Sequence, residues 1–148
     1  MTEEARVRPS ERPLRGEVRV PTDKSISHRA ALIAAIAAGR SIIRGFSPAG
    51  DCASTLAVLS ALGVTVAQAD HTVIVDGLGD AELRAPAEPL DCGRSGTTMR
   101  LVAGLVAPHP GPFELSGDEQ LRRRPMERVA VPLRAMGAAV TTDDGRPP

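Results

Sequence analysis

The sequence has no tryptophan and no tyrosine, and only two phenylalanines, Phe46 and Phe113. Proteins that bind nucleic acid without sequence preference stack bases on aromatic rings and follow phosphates with an excess of basic side chains. Here 18 basic side chains balance 18 acidic ones, so the formal net charge is zero. Both requirements fail, and nucleic acid is excluded as a partner class. Cysteine is equally scarce: Cys52 and Cys92 lie 40 positions apart, with no CxxC and no neighbouring histidine. His28, His71 and His109 are scattered, whereas a zinc site needs ligands at short spacing. No metal or cofactor is expected, and the two cysteines read as free, buried thiols of a reducing compartment. Long hydrophobic runs are also missing. The longest, Ala30 to Ala38, falls far short of the roughly 20 residues that span a bilayer. The opening MTEEARVRPSERP is charged, with no apolar core of a signal peptide. These absences describe a soluble, cytoplasmic protein with no membrane partner.

What is present suits a folded α/β chain. Hydrophobic residues make up 42% of 148, enough to bury a core. Residues 1–13 read as a flexible lead-in. Residues 17–20 alternate like a strand and stop at Pro21. An Ala-rich helix, apolar nearly all round, is expected from about Ser27 to Ala38 and ended by Gly39 as a cap. Residues 41–44 read as a strand. Cys52, Leu56, Leu59 and Leu62 mark a helix face closed by Gly63, and two strands turn at Asp70. The order then recurs. Met99, Val102, Ala103 and Val106 form a helical stripe, and residues 112–115 a strand. Met126, Val129, Ala130, Leu133 and Met136 form a second stripe ended by Gly137, and residues 138–141 a last strand. Pro132 falls inside that helix, where a bend is expected. The internal repeat, of about seventy residues, reads β-α-β-α-β-β. The first copy is expected at about 21–78 and a truncated second at about 88–148, within a unit running from 14 to 148.

Three segments place polar or glycine-rich residues at a helix start with cations nearby. Helix starts offer unpaired N–H groups and the positive end of the dipole, so they attract anions. The first is Asp23 to Arg29, where Ser25 or Ser27 can cap and Lys24 and Arg29 flank. The second is Cys92 to Arg100, in which Gly93 and Gly96 allow close approach to the backbone. The third is Gly117 to Met126, where Pro125 fits a first helical position. That reading sets Arg122, Arg123 and Arg124 against the positive dipole end, unfavourably unless an anion binds. Each taken alone is equally an ordinary capped turn with solvated cations. Neither GxxxxGK[ST] nor GxGxxG occurs.

Taken together the three segments resemble a known family. Lys24-Ser25-Ile26-Ser27-His28-Arg29-Ala30 is similar to the KS-[IV]-S-[NH]-RA signature of EPSP synthases. Gly93 to Arg100 is similar to the family's GN-[AS]-GT-x-x-R motif. Gly117-Asp118 through Leu121 to Arg124-Pro125-Met126 is similar to its GD-x-x-L-x-x-RPM segment. The resemblance implies the enolpyruvyl transferase fold, an inside-out α/β barrel of repeated βαβαββ units in two lobes. One complete repeat and most of a second would be present here, with residues 17–20 as a strand of the other lobe.

It also implies an activity: transfer of enolpyruvyl from phosphoenolpyruvate to the 5-hydroxyl of shikimate 3-phosphate, releasing phosphate, without a metal. Lys24 would touch both substrates and act in catalysis. Ser25 and Arg29 would hold shikimate 3-phosphate, Gly96 and Arg124 would hold phosphoenolpyruvate, and Arg100 would support them. Arg128, one helical turn beyond Arg124, is expected outside the site. A full-length member would be a monomer, whereas this chain alone is expected to be inactive and to self-associate. Two departures stand out. Asp23 replaces the family's usual Ser beside Lys24, where it could compete with substrate anions. Arg94 replaces the usual Asn before Gly96, where it could strengthen or crowd the site. Alternative readings are a non-catalytic anion-binding or subunit-like module that needs a partner chain, and a relative of the UDP-N-acetylglucosamine enolpyruvyl transferases.

Overall fold

The computed structural model describes residues 8–13, 15–18 and 20–148. The described residues form ten elements: α1 (Lys24–Ile36), β1 (Ala38–Arg44), α2 (Gly50–Ala61), β2 (Thr65–Ala69), β3 (Thr72–Leu78), β4 (Leu90–Asp91), α3 (Gly96–Val106), β5 (Leu115–Ser116), α4 (Glu119–Arg122) and α5 (Glu127–Ala135).

The first half is an antiparallel three-stranded sheet, ordered β1-β3-β2, covered by α1 and α2. β2 and β3 turn at Asp70, whose φ of 49° is the left-handed conformation that an Asp side chain tolerates. Register follows from burial on alternate residues. Val73 and Val75 of β3 are fully buried, while Ile74 between them is only half-buried. To the same core α1 contributes Ala31 and Ala35, and α2 contributes Cys52, Leu56 and Leu59.

In the second half, β4 pairs in parallel with β5 and α3 crosses between them. Met99, Val102 and Val106 are the buried side of α3, as their spacing predicts. The helices α2 and α5 end alike. Val64 N–H donates to Leu59 O at 3.0 Å, and Ala138 N–H donates to Leu133 O at 3.0 Å. The glycines in between, Gly63 and Gly137, have φ of 93° and 97°. This six-to-one bond around a left-handed glycine makes the two helix ends equivalent.

Several sequence expectations need correction. Residues 17, 18 and 20 form no strand, and Val18 and Val20 are 82% and 80% exposed. A strand requires a neighbour for its N–H and C=O groups, and the described residues offer none there. Arg19, Leu14 and residues 1–7 lie outside the described residues. α1 begins at Lys24 and ends at Ile36, and Gly39 is not its cap but lies in β1 with φ of 83°. Nor is α1 covered all round: Ile26 is 70% and Ile33 64% exposed. The expected strands at 112–115 and 138–141 reduce to Leu115–Ser116 and to irregular chain. α5 runs through Pro132, as expected, and the Pro132 carbonyl accepts from Met136 N–H at 3.0 Å. Its apolar stripe ends sooner than expected, because Met136 is 83% exposed.

Candidate functional site

The start of α1 is capped by Asp23, not by Ser25 or Ser27. Asp23 Oδ1 accepts from Ile26 N–H at 2.7 Å, the bond an N-cap supplies. The family departure at this position is therefore a helix cap whose carboxylate faces the backbone. Ser27 does something else. Its hydroxyl donates to Asp23 O at 2.9 Å and accepts from Ser47 N–H at 3.0 Å, stapling the loop after β1 to the helix. Lys24, the first residue of α1, points toward α2, where its Nζ meets Asp51 Oδ2 at 3.0 Å. Ser25 is exposed, and its carbonyl accepts from Arg29 Nη1 at 3.1 Å.

The start of α3 follows a tight turn after β4. Gly93 has φ of 55° and donates its N–H to Asp91 Oδ1 at 2.7 Å. Ser95 caps the helix by accepting from Thr98 N–H at 3.1 Å. Arg94 leads away from Gly96. Its Nε sits 3.1 Å from Asp118 Oδ2, and its Nη2 donates to Gln120 Oε1 at 2.7 Å. Asp118 N–H in turn donates to Gly93 O at 2.9 Å. Arg94 thus clips this turn to the start of α4.

Gly96 opens α3, and two guanidinium groups converge on it. A Cβ at Gly96 would lie 3.0 Å from Arg124 Nη1 and 3.2 Å from Arg100 Nη1. Arg100 Nε is buried and has no hydrogen-bond partner among the described residues. Burial, then the charges of Arg128 and Arg124, pull the pKa of Arg100 below its ordinary value. Arg128, expected to stand apart, therefore acts on the same cluster through its field. None of the three arginines joins an ion pair among the described residues. Arg100 and Arg124, close to the positive end of an 11-residue helix, repel each other and the dipole. An anion there would reverse both signs, and guanidinium forks suit phosphate or carboxylate.

The third segment is arranged otherwise than its sequence implies. α5 begins at Glu127 with Met126 as its N-cap, so Pro125 lies before the helix. Arg122 occupies the last turn of α4 and Arg123 its C-cap, where cations are favoured. Arg123 pairs with Glu119 one turn earlier. Of the three arginines only Arg124 turns toward Gly96, and the dipole it meets belongs to α3.

Sequence reasoning missed Asp51, which joins the two helix starts. Its carboxylate holds Lys24, and its backbone carbonyl lies 3.2 Å from Thr98 Oγ1. No local signal could have found this, because the partners are 27 and 47 positions away. Both cysteines are free and buried, as expected. Burial pushes the Cys92 thiol up to about 12, so it is inert at neutral pH. No group of His, Cys, Asp and Glu that could hold a metal occurs among the described residues. No helix among them is long and apolar enough to cross a membrane.

Comparison with known proteins identifies the family. The family profile for EPSP synthase (3-phosphoshikimate 1-carboxyvinyltransferase) matches residues 9–147. A 3-phosphoshikimate 1-carboxyvinyltransferase of Chloroflexus aurantiacus is 57% identical over 134 residues, 89% of this chain and 31% of that protein. One from Legionella pneumophila is 49% identical over 136 residues, 91% of this chain and 31% of that protein. The solved structure of EPSP synthase from Acinetobacter baumannii superimposes with a TM-score of 0.82 at 40% identity, over 90% of this chain and 31% of that one. The chain thus spans about a third of the length of the relatives it matches. With residues 9–147 matched and the fold shared, the chain belongs to the EPSP synthase family.

Proposed function

We propose that this chain carries one side of an anion-holding active site for enolpyruvyl transfer. Within a longer protein it would take part in moving enolpyruvyl from phosphoenolpyruvate to the 5-hydroxyl of shikimate 3-phosphate, with loss of phosphate. Lys24 would touch both substrates, Ser25 and Arg29 would hold shikimate 3-phosphate, and Gly96 and Arg124 would hold phosphoenolpyruvate with Arg100 beside them. The observation that carries this reading is the convergence of Arg100 and Arg124 on Gly96 at the start of α3. Both substrates bear a phosphate and a carboxylate, the groups that such a cluster stabilises. The chain alone should not turn over, because addition and elimination need acid–base groups and cations from outside it. Two buried free thiols fit a cytoplasmic setting.

The proposed organisation is a lead-in over 1–13, a repeat at about 21–78 and a second at about 88–148. The matched ends of α2 and α5 support it. Exposed Ile26, Ile33, Val131 and Met136 favour self-association of this chain in isolation.

The test is titration of the 148-residue chain followed by amide NMR. Binding should be weak, near millimolar or about −4 kcal/mol, since association costs several kcal/mol before contacts count. Shikimate 3-phosphate should move residues 24–29, and phosphoenolpyruvate should move Gly96 and the turn before Pro125. Arg124→Ala should abolish the second response and spare the first. A silent Arg124→Ala variant would mean that the basic cluster is a solvated loop.

A further inference from the structure

Four polar side chains form a line through the apolar core. His28 Nδ1 lies 2.6 Å from Thr55 Oγ1, Thr55 Oγ1 lies 2.7 Å from Thr98 Oγ1, and Thr98 Oγ1 lies 2.7 Å from Ser95 Oγ. His28 and Ser95 are 2% exposed, and Thr55 and Thr98 fully buried. They run within a core that also holds Ala31, Cys52, Leu59, Met99 and Val102. Buried polar groups cost free energy unless each is satisfied, and a satisfied network admits few arrangements of the elements that carry it. The line has one member on α1, one on α2, one on α3 and one at the α3 cap. At one end Ser95 immediately precedes Gly96. At the other, His28 lies one helical turn beyond Lys24. In the middle, Thr98 also reaches Asp51 O at 3.2 Å, and the Asp51 side chain holds Lys24.

We infer that the line His28–Thr55–Thr98–Ser95 is a positioning device, which fixes the Lys24 and Gly96 helix starts relative to each other so that one pair of anions can engage both. This rests on the proposed substrate role of those two starts. None of the four side chains needs to touch substrate.

Proton counting shows how the line can change state. Each hydroxyl has one proton, and the Asp51 carbonyl can only accept. If Thr98 donates to Asp51 O or to Ser95 Oγ, Thr55 must donate to Thr98, and the Thr55 oxygen is left to accept from His28 Nδ1–H. A neutral ring with a bare Nδ1 instead accepts from Thr55, and the order beyond reverses. A protonated ring allows only the first order. Burial lowers the His28 pKa below its ordinary value, Asp51 raises it, and Lys24 and Arg29 lower it further. The ring is therefore neutral at neutral pH and titrates at lower pH than a solvated histidine.

The experiment uses the 15N-labelled 148-residue chain, phosphoenolpyruvate as probe, and the variants Thr55→Val and Thr55→Ser. Thr55→Val should move the amide resonances of Ser95 and Gly96 on one side and of Lys24 to Ser27 on the other. It should weaken phosphoenolpyruvate binding about fivefold, and Thr55→Ser, which keeps the hydroxyl, should restore both. Resonances that stay in place in Thr55→Val, with affinity within twofold of the parent, overturn the inference. Should Thr55→Val fail to fold, the parent chain decides: the line must hold the Thr55 and Thr98 hydroxyl protons against exchange with water, and hydroxyl protons that exchange too fast to be observed overturn the inference. Absence of phosphoenolpyruvate binding by the parent defeats the substrate-site reading instead, while the ligand-free resonances still decide the positioning role.

Discussion

Lys24 and Asp51 face each other across the starts of α1 and α2, with Nζ 3.0 Å from Oδ2 and side chains 57% and 40% exposed. An exposed pair of this kind contributes less than about 1 kcal/mol to stability. It nevertheless occupies the cation that the proposed site needs, so an incoming anion must compete with Asp51. Asp51→Asn should raise the affinity of the chain for inorganic phosphate roughly two- to fivefold, about 0.4–1 kcal/mol, and change the midpoint of urea unfolding little. Unchanged phosphate affinity, measured by titration at fixed ionic strength, would show that Asp51 does not shield Lys24.

Gly77 of β3 runs against the end of α1 so closely that a Cβ there would overlap the carbonyl oxygens of Ala34 and Ala37. Backbone cannot move aside as a side-chain tip can. Gly77→Ala should therefore destabilise the fold by at least about 2 kcal/mol. Gly104, within α3, has nothing within 4 Å of an added Cβ. Gly104→Ala should stabilise by up to about 1 kcal/mol through helix propensity. Equal unfolding midpoints for the two variants would contradict the close packing of β3 on α1.

Asp76 and Arg40 stand directly opposite on β3 and β1 and form a two-pronged pair, at 2.7 and 2.9 Å. The hydrogen bonds from Arg40 hold the Asp76 carboxyl below its ordinary 3.8. Glu127 is likewise held below 4.5, first by Arg134 and then by Thr142. A carboxylate with a lowered folded pKa stabilises above its unfolded value, and that contribution is lost as pH falls through the folded value. Thermal stability should hold at mildly acidic pH and decline modestly below about pH 4, since exposed pairs contribute little. Asp76→Asn should flatten part of that fall. A pH profile identical to the parent's would show that this pair contributes nothing.

Cys92, the residue after β4, is buried, and its thiol is pushed up to about 12. Iodoacetamide needs a thiolate. At pH 8 in native buffer Cys92 should resist alkylation, and its reactivity should appear with urea along the same transition as loss of helix. Mass spectrometry of peptides carrying Cys92 gives the measurement. Rapid labelling without denaturant would mean that β4 and β5 open locally.

The sequence by itself determined the elements whose signals are local. The apolar stripe of α3, the turn at Asp70 and the glycines that end α2 and α5 all stand where their spacing puts them. The three motifs that resemble the family were legible for the same reason, since each is a short run of residues around one helix start. Tertiary structure decided everything that depends on residues far apart. Pro125 and the neighbouring arginines read locally as the opening of α5, yet Arg124 turns to the start of α3, because two separate segments meet there. Asp23 read as a competitor for Lys24, but its carboxylate caps a backbone N–H, and the true partner, Asp51, comes 27 residues later. Val18 and Val20 alternate as a strand should and still form none, because pairing requires a second strand and pattern alone cannot supply one. The line from His28 to Ser95 is the clearest case. Each member is an unremarkable polar residue in its own helix, and only the packing of α1, α2 and α3 brings their side chains within hydrogen-bonding distance.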